Sequence, residues 1–254
     1  MIRVLIIIAV ASFVLAVACF SGAVATGGRD LIEHGWNISP AYFENLDDDG
    51  DVRISVGRHR DSGPDVTHDL AWAGGPLLQI DVPAEVTFTQ GAAPKITVSG
   101  PQDLVDRVVI VDGRLRFRDG DGGEGMRVRL VRERLSIDVV APAVKRFVLN
   151  GSPSLSLAAY DQPELAIEIN GSGEVSGTGK TQALTLAIAG SGDATLGDLQ
   201  AQDANVGLAG SGEAELSARG AVQVSIAGSG DVTLTTKPAS LSSNIDGSGD
   251  LHLP

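Results

Sequence analysis

The sequence predicts an all-β fold, a parallel β-helix or β-solenoid with rungs of about 19 residues. Gly-Ser-Gly followed by an acidic residue recurs five times at intervals of 18 to 20 residues, a period typical of stacked structural units. Apolar and polar residues alternate on both sides of each copy, as in strands with one buried face. These corners lie at residues 171–174, 190–193, 210–213, 228–231 and 247–250, and a degenerate copy lies at 151–154.

Each repeat is predicted as a strand, a Gly-Ser-Gly corner, a second strand and a connecting segment. Positions at the same distance from the corner are expected to stack on one another in successive rungs, because the same offset selects the same face. The stacks predicted to be buried are Ile169, Ile188, Leu208, Ile226 and Ile245 before the corner, and Leu196, Leu216, Leu234 and Leu253 after it.

Two arrangements of the repeats fit this pattern. In a parallel solenoid equivalent positions stack directly, which explains why the same residue types recur at every corner. In an antiparallel β meander, Gly-Ser-Gly would instead be a three-residue hairpin loop. Nothing in a meander requires the same acid at every hairpin, so the solenoid is favoured and the meander is kept as the alternative.

Residues 1–25 are predicted to be a signal peptide. A minimal basic start at Arg3 is followed by an apolar run from 4 to 20 and by two Ala-x-Ala sites, with cleavage favoured after Ala25. An uncleaved membrane anchor is one alternative, since residues 4–25 could just span a bilayer, which takes about 20 residues. Lipidation of Cys19, the only cysteine, is another. The protein is therefore expected in the periplasm or on the surface of a bacterium.

Residues 26–75 are predicted to be a linker and an N-terminal cap, and residues 76–254 the solenoid domain. Within the first segment, residues 45–52 match the opening of a calcium loop, with oxygen-bearing side chains at positions 1, 3 and 5 and Gly50 at position 6. Position 12, which should be a bidentate Glu, is Val56. An acidic turn is the better interpretation.

Charge is unevenly distributed along a chain whose net charge is −13. Ten of the 19 basic residues lie between Arg107 and Arg146, in alternating stripes at 114–118 and 127–130, whereas residues 147–254 carry a net −9. The stripes predict either an anionic partner, such as lipopolysaccharide or phospholipid headgroups, or an outward strand face that is solvated or paired with the chain's own carboxylates, and the second is favoured. The overall charge argues against nucleic acid as a partner.

The corners and the strands that they close resemble the bacterial GIN-domain family, described as the putative auto-transporter adhesin head domain. The resemblance rests on segments such as 186–189 and 224–227 and on the lead-in strands 78–83, 96–100, 135–139 and 147–151, and it covers roughly residues 75–254. It implies a secreted or envelope-exposed β-solenoid without established catalytic residues. The adhesin label is itself an analogy and does not specify an activity.

Motifs for catalysis or cofactor binding are not recognisable in the sequence. The glycine corners do not match a dinucleotide fingerprint, because they join strands with no helix N-terminus to hold a phosphate. The sequence contains neither Gly-x-Ser-x-Gly nor Ser-x-x-Lys. The histidines are scattered, and His59 and His68 are weak metal candidates. No catalytic, cofactor-binding or dedicated metal residue is predicted, and no cofactor.

The sequence therefore predicts a non-enzymatic envelope protein that presents a repetitive surface for adhesion, scaffolding or envelope sensing. The alternatives are a carbohydrate-active β-helix enzyme and a polysaccharide-binding module. Partners are expected among cell-envelope polysaccharides, lipid headgroups and other proteins, with membrane contact only through the N-terminal segment. The oligomeric state does not follow from the sequence.

The acids that follow the corners form the one candidate site. In a parallel stack they would form a column with backbones about 4.8 Å apart. Surface charge that keeps the protein soluble is the simpler interpretation, and a column that collects divalent cations is the sharper hypothesis. The residues of this acidic column are Glu174, Asp193, Glu213, Asp231 and Asp250.

Overall fold

A computed structural model describes residues 64–118 and 135–254. The predicted signal peptide, the calcium-like loop at 45–56 and the basic stripe at 127–130 lie outside these residues. Sixteen strands and one short helix are present in the described part of the chain. In order they are β1 (Asp65–Leu70), β2 (Leu77–Ile80), β3 (Ala84–Gln90), β4 (Lys95–Pro101), α1 (Gln102–Val105), β5 (Val108–Val111), β6 (Arg114–Phe117), β7 (Leu135–Ala141), β8 (Arg146–Gly151), β9 (Ser154–Gly171), β10 (Glu174–Gly190), β11 (Asp193–Gly210), β12 (Glu213–Ala218), β13 (Ala221–Gly228), β14 (Asp231–Leu234), β15 (Ser240–Gly247) and β16 (Leu251–His252).

The repeats form a parallel β-solenoid, as the sequence predicts. Strand β10 pairs in parallel with β9 on one side and with β11 on the other. The first glycines of successive corners lie side by side, for example Gly171 beside Gly190 and Gly190 beside Gly210. The antiparallel meander is therefore wrong for the repeats.

Each rung contributes to two sheet faces that meet at the corner. The first face contains the strand segments that follow the corners, in the order β3, β9, β10, β11, β12, β14 and β16. The second face contains the segments that precede the corners, in the order β2, β8, β9, β10, β11, β13 and β15. The long strands β9, β10 and β11 bend and so contribute to both faces.

The corners repeat because their backbone geometry requires glycine. The first glycine has φ between 131° and 139° in all five complete corners, a conformation that side chains rarely adopt. A Cβ on Gly210 would also overlap the carbonyl oxygen of Gly190 in the preceding rung. The serine N–H donates to the first glycine's carbonyl of the rung before, at 2.8 to 2.9 Å in every complete corner. Close backbone stacking therefore dictates the motif.

The predicted buried stacks are confirmed except at their last members. Ile169, Ile188, Leu208 and Ile226 are at most 2% exposed, and so are Leu196, Leu216 and Leu234. Ile245 and Leu253 are 41% and 57% exposed, so the prediction is wrong for them. Both lie in the last rung, whose outer side no described residue covers.

Near the N-terminal end, antiparallel strands that the repeat pattern does not predict extend the sheet beyond the parallel rungs. On the first face β1 pairs with β4, and β4 pairs with β7, in antiparallel fashion. Strand β1 lies within the segment predicted as linker and cap. On the second face β5 and β6 form a hairpin whose turn residues, Asp112 and Gly113, have φ of 51° and 77°, as a type I′ turn requires.

An aromatic cluster fills the core near the first coils. The rings of Phe88 and Phe147 pack edge to face with centroids 5.1 Å apart, and Tyr160 lies 6.3 to 6.4 Å from both. The Tyr160 hydroxyl lies 2.9 Å from the Val144 carbonyl oxygen and 2.8 Å from that of Glu164. Burial raises the pKa of Tyr160 well above its usual range, so the neutral hydroxyl acts as a structural donor.

Membrane-spanning helices are absent from residues 64–118 and 135–254, where the sole helix, α1, has four residues.

Candidate functional site

The acids that follow the corners form a single column, as predicted. Glu174 lies beside Asp193, and Glu213 lies beside Asp231, in parallel register. Towards the N-terminal rungs the column continues through Ser154, which lies between Glu174 and Glu85. It crosses the first face perpendicular to the strands. All five predicted site residues are therefore brought together.

Two of the column's acids also have a structural role. An Asp193 carboxylate oxygen accepts a hydrogen bond from the backbone N–H of Glu213 at 3.0 Å. Asp231 accepts one from the N–H of Asp250 at 2.8 Å. These carboxylates bond to the backbone of the next rung, a role that the sequence pattern did not reveal.

A second column of polar side chains runs parallel to the acids, two residues further along each strand. Successive members lie in register from β3 to β16, and most of them carry a hydroxyl group on the outer side of the sheet. We call this the hydroxyl column. Its members are Thr87, Ser156, Ser176, Thr195, Glu215, Thr233 and His252.

The two columns border a groove of about 750 Å³ on the first face. Buried residues of the same strands, such as Val175 and Ala194, also line it. None of the described residues that line it is a lysine, an arginine or a phenylalanine, tyrosine or tryptophan. The groove therefore offers carboxylates and hydroxyls to a ligand, in a repeat about 4.8 Å long.

Such a surface matches two kinds of ligand chemistry. Carboxylates accept hydrogen bonds and hydroxyls both donate and accept them, so the groove complements a polyhydroxylated polymer. Oxygen ligands also suit calcium, which can bridge protein carboxylates to an anionic polymer. Among the described residues, no three or more His, Cys, Asp or Glu side chains are grouped closely enough to form a dedicated metal site.

The second face carries a network of charged and amide side chains near the first coils. Asn150 donates to Asp81 at 2.6 Å, Gln79 donates to the same carboxylate at 3.1 Å, and Arg114 forms an ion pair with it. Burial would raise the pKa of Asp81, but these three donors outweigh it and hold the pKa below its usual range. Asn170 continues the network by donating to Asn150 at 3.1 Å.

Ion pairs between side chains link neighbouring rungs on the same face. Arg146 donates to Glu168 at 2.8 Å, and this contact, with a hydrogen bond from Asn170, lowers the pKa of Glu168. The Lys145 ammonium group lies 3.1 Å from a Glu164 carboxylate oxygen and forms a second such ion pair. At Arg114 the basic stripe at 114–118 is paired with the chain's own carboxylate, as the favoured interpretation holds.

The weak histidine candidates do not assemble a metal site in the described residues. His68 lies 3.3 Å from Asp106 in an exposed pair near the first coils. His59 lies outside the residues that the structure describes. His252 ends the hydroxyl column and lines the groove.

The fold and the groove define a class of protein, a β-solenoid with a regular polar face. The sequence profile described as "Putative auto-transporter adhesin, head GIN domain" matches residues 78–238, more than half of the chain. The chain belongs to this family. Comparison with curated proteins found no significant match.

Solved structures are similar to this chain at low sequence identity. A putative adhesin from Bacteroides fragilis is 16% identical with a TM-score of 0.57, over 75% of this chain and 97% of that one. A putative adhesin from Parabacteroides merdae is 16% identical with a TM-score of 0.46, over 76% and 97%. A putative lipid binding protein from Parabacteroides distasonis is 19% identical with a TM-score of 0.45, over 76% and 97%. The first of these similarities supports the solenoid fold.

Proposed function

We propose that the protein is exported and acts without catalysis, presenting the groove of its first face to polymers of the bacterial cell envelope. The observation that carries this proposal is the regularity of the groove. From β10 to β16 each rung adds one acid to the first column and one polar side chain to the second, and no inserted loop interrupts them among the described residues. A surface that repeats along one axis fits a ligand that also repeats.

Two further features support a role in adhesion. The family's description names an adhesin, which is a binding function. The groove is also long and open, whereas enzymes that act on polysaccharides place an acid and a base carboxylate around one scissile bond. The two columns instead repeat similar polar groups from rung to rung, which provides several similar binding positions along the groove.

The acidic column gives the proposal a chemical mechanism. Adjacent carboxylates repel one another by about 1 kcal/mol in water at this spacing. A divalent cation shared by two neighbouring acids would relieve that repulsion and leave coordination positions for an anionic polymer. In this mechanism the hydroxyl column orients the polymer through hydrogen bonds. The acids hold the cation, and the cation joins the polymer to the protein.

The test is binding to an array of envelope glycans and lipid headgroups in the presence of about 1 millimolar calcium, the level that weak extracellular sites need, or of a chelator. We expect calcium-dependent binding to an anionic glycan and at least about tenfold weaker binding by the triple variant D193N/E213Q/D231N. Asn at 193 and 231 keeps an oxygen that can accept the next rung's N–H, so the change removes charge and preserves the backbone contacts.

The matched control is D112N/D198N/D203N, which removes the same charge outside the groove. It should bind like the unmodified protein. Equal loss in both triple variants would assign the effect to net charge and contradict a role for the groove. Binding that persists in the chelator would contradict the cation mechanism and leave the polyhydroxylated polymer as the ligand of the groove.

A further inference from the structure

The two ends of the solenoid differ in how far their core is covered. At the N-terminal end, α1 and the antiparallel strands supply Leu104, Val105 and Val108, which are at most 3% exposed. These side chains close the core over the first coils. Stacked repeats need such a cap, because a terminal rung otherwise exposes its inward side chains.

The C-terminal rung lacks an equivalent cover among the described residues. All eight residues of β15 are exposed, including Leu241 at 37% and Ile245 at 41%. One rung earlier, Val222 and Ile226 occupy the same columns and are at most 1% exposed. In the described part of the chain β15 pairs only with β13, so half of its backbone donors and acceptors point away from the sheet.

This edge also lacks the features that block pairing with another chain. Exposed edge strands are usually protected by lysine, by proline or by a bulge. Strand β15 contains neither lysine nor proline, its pairing with β13 is continuous, and its one charged residue is Asp246, near its end. The side chains that alternate with its apolar residues, Ser240, Ser242 and Asn244, are small and polar.

We propose that β15 pairs antiparallel with β15 of a second copy of this chain, joining two solenoids at their C-terminal ends around a two-fold axis. A two-fold interface uses the same patch on both copies, so the patch must complement itself. The interior of one copy then stacks on the interior of the other, and the open core is closed on both sides.

The alternation of side chains selects one register. Inward residues must face inward residues, and an axis that passes through a residue meets this condition because it keeps odd positions opposite odd ones. Centred on Ser243, the pairing places Leu241 opposite Ile245 of the second copy, twice. Centred on Asn244, it would place Ile245 opposite Ser243 and Leu241 opposite Gly247. The first register buries both apolar side chains and is the one we assign.

Charge favours the same register. It places Asp246 opposite Ser240 of the second copy, so a hydroxyl donor faces the carboxylate at each end of the paired strands. The two Asp246 side chains lie at opposite ends of the interface and do not face each other. The net charge of −13 on each copy still opposes association, so the dimer is expected to tighten with added salt.

The first test is sedimentation of the protein as purified from the envelope fraction, at protein concentrations from about 1 to about 100 μM, where small interfaces associate. We expect dimers, and we expect Ile245→Lys to weaken the dimer at least about tenfold. Ser225→Lys is the matched control, because it adds the same charge at an exposed position one rung earlier and should leave the dimer intact. Monomers of the unmodified chain throughout this range would overturn the proposal.

The second test does not depend on how Ile245→Lys folds. With Cys19 removed along with the signal peptide, or replaced by Ser if that segment is retained, Ser243→Cys should form a disulfide-linked dimer under mild oxidation, since the axis places the two copies of residue 243 opposite each other. Ser225→Cys should not. Absence of the Ser243→Cys crosslink would overturn the proposal. Protection of β15 amides from hydrogen exchange in a monomer would also overturn it, because another part of the chain would then cover this edge.

Discussion

Replacing Leu208 by Asp is expected to unfold the C-terminal rungs. Leu208 is 2% exposed and stacks between Ile188 and Ile226 in the continuous apolar column. The substitution removes a buried apolar side chain and places a charge in a core where the neighbouring described side chains are apolar. We expect a loss of at least about 4 kcal/mol in the free energy of unfolding, measured by denaturant titration.

The neighbouring residue supplies the control for this prediction. Ala209 is exposed on the outer side of the same strand, so Ala209→Asp adds the same charge in the same rung. It should change stability by no more than about 0.5 kcal/mol. Comparable destabilisation by both variants would mean that position 208 is not part of a buried column.

Replacing Gly210 by Ala is expected to destabilise the protein by roughly 3 kcal/mol, a large effect for one methyl group. Gly210 has φ of 135°, and a Cβ there would overlap the Gly190 carbonyl oxygen. That oxygen accepts the Ser211 N–H at 2.9 Å, so any shift that relieves the overlap lengthens this bond. The free energy of unfolding measures the effect.

Gly207 provides a matched comparison three residues earlier in the same strand. A Cβ at this position meets nothing within 4 Å, so Gly207→Ala should be neutral or stabilise the protein by about 0.5 kcal/mol through the unfolded state. Equal effects at the two positions would show that the corner tolerates a side chain, and close backbone stacking would then not be the reason for the Gly-Ser-Gly repeat.

The solenoid was predictable because its constraints recur at a fixed interval. Each corner must allow the backbone of the next rung to approach, so the same glycines appear in every copy, and each inward column must stay apolar. The acidic column followed from the same periodicity. The hydroxyl column was visible too, since the fifth position after the first glycine is Ser176, Thr195, Glu215, Thr233 and His252 in the five copies.

The N-terminal coils were less predictable because their contacts do not repeat. Asp81 meets Asn150 and Arg114 across 69 and 33 residues of sequence, and no periodic pattern marks such a partnership. The antiparallel strands β1 and β4 have the same alternation as the parallel ones, so alternation alone does not reveal their direction. The direction follows from packing against β7, which the sequence does not encode locally.

The exposed last rung shows where reasoning from repeats fails. Ile245 occupies the same offset as Ile226, so the pattern predicts that both are buried. Burial also requires a neighbour on each side, and Ile226 has two whereas Ile245 has one among the described residues. The position of a repeat in the stack therefore matters as much as its sequence.

Export and display in the envelope are the central claim of the proposed function, and the N-terminal mass of the protein recovered from fractionated cells tests it most directly. We expect the protein in the envelope fraction with a chain that begins at Thr26, after cleavage at the Ala-x-Ala site at residues 23–25. A diacylglyceryl adduct on Cys19, or an intact Met1 in the membrane, would change the means of attachment and keep the location. Recovery of the chain with Met1 from the cytoplasmic fraction would contradict export.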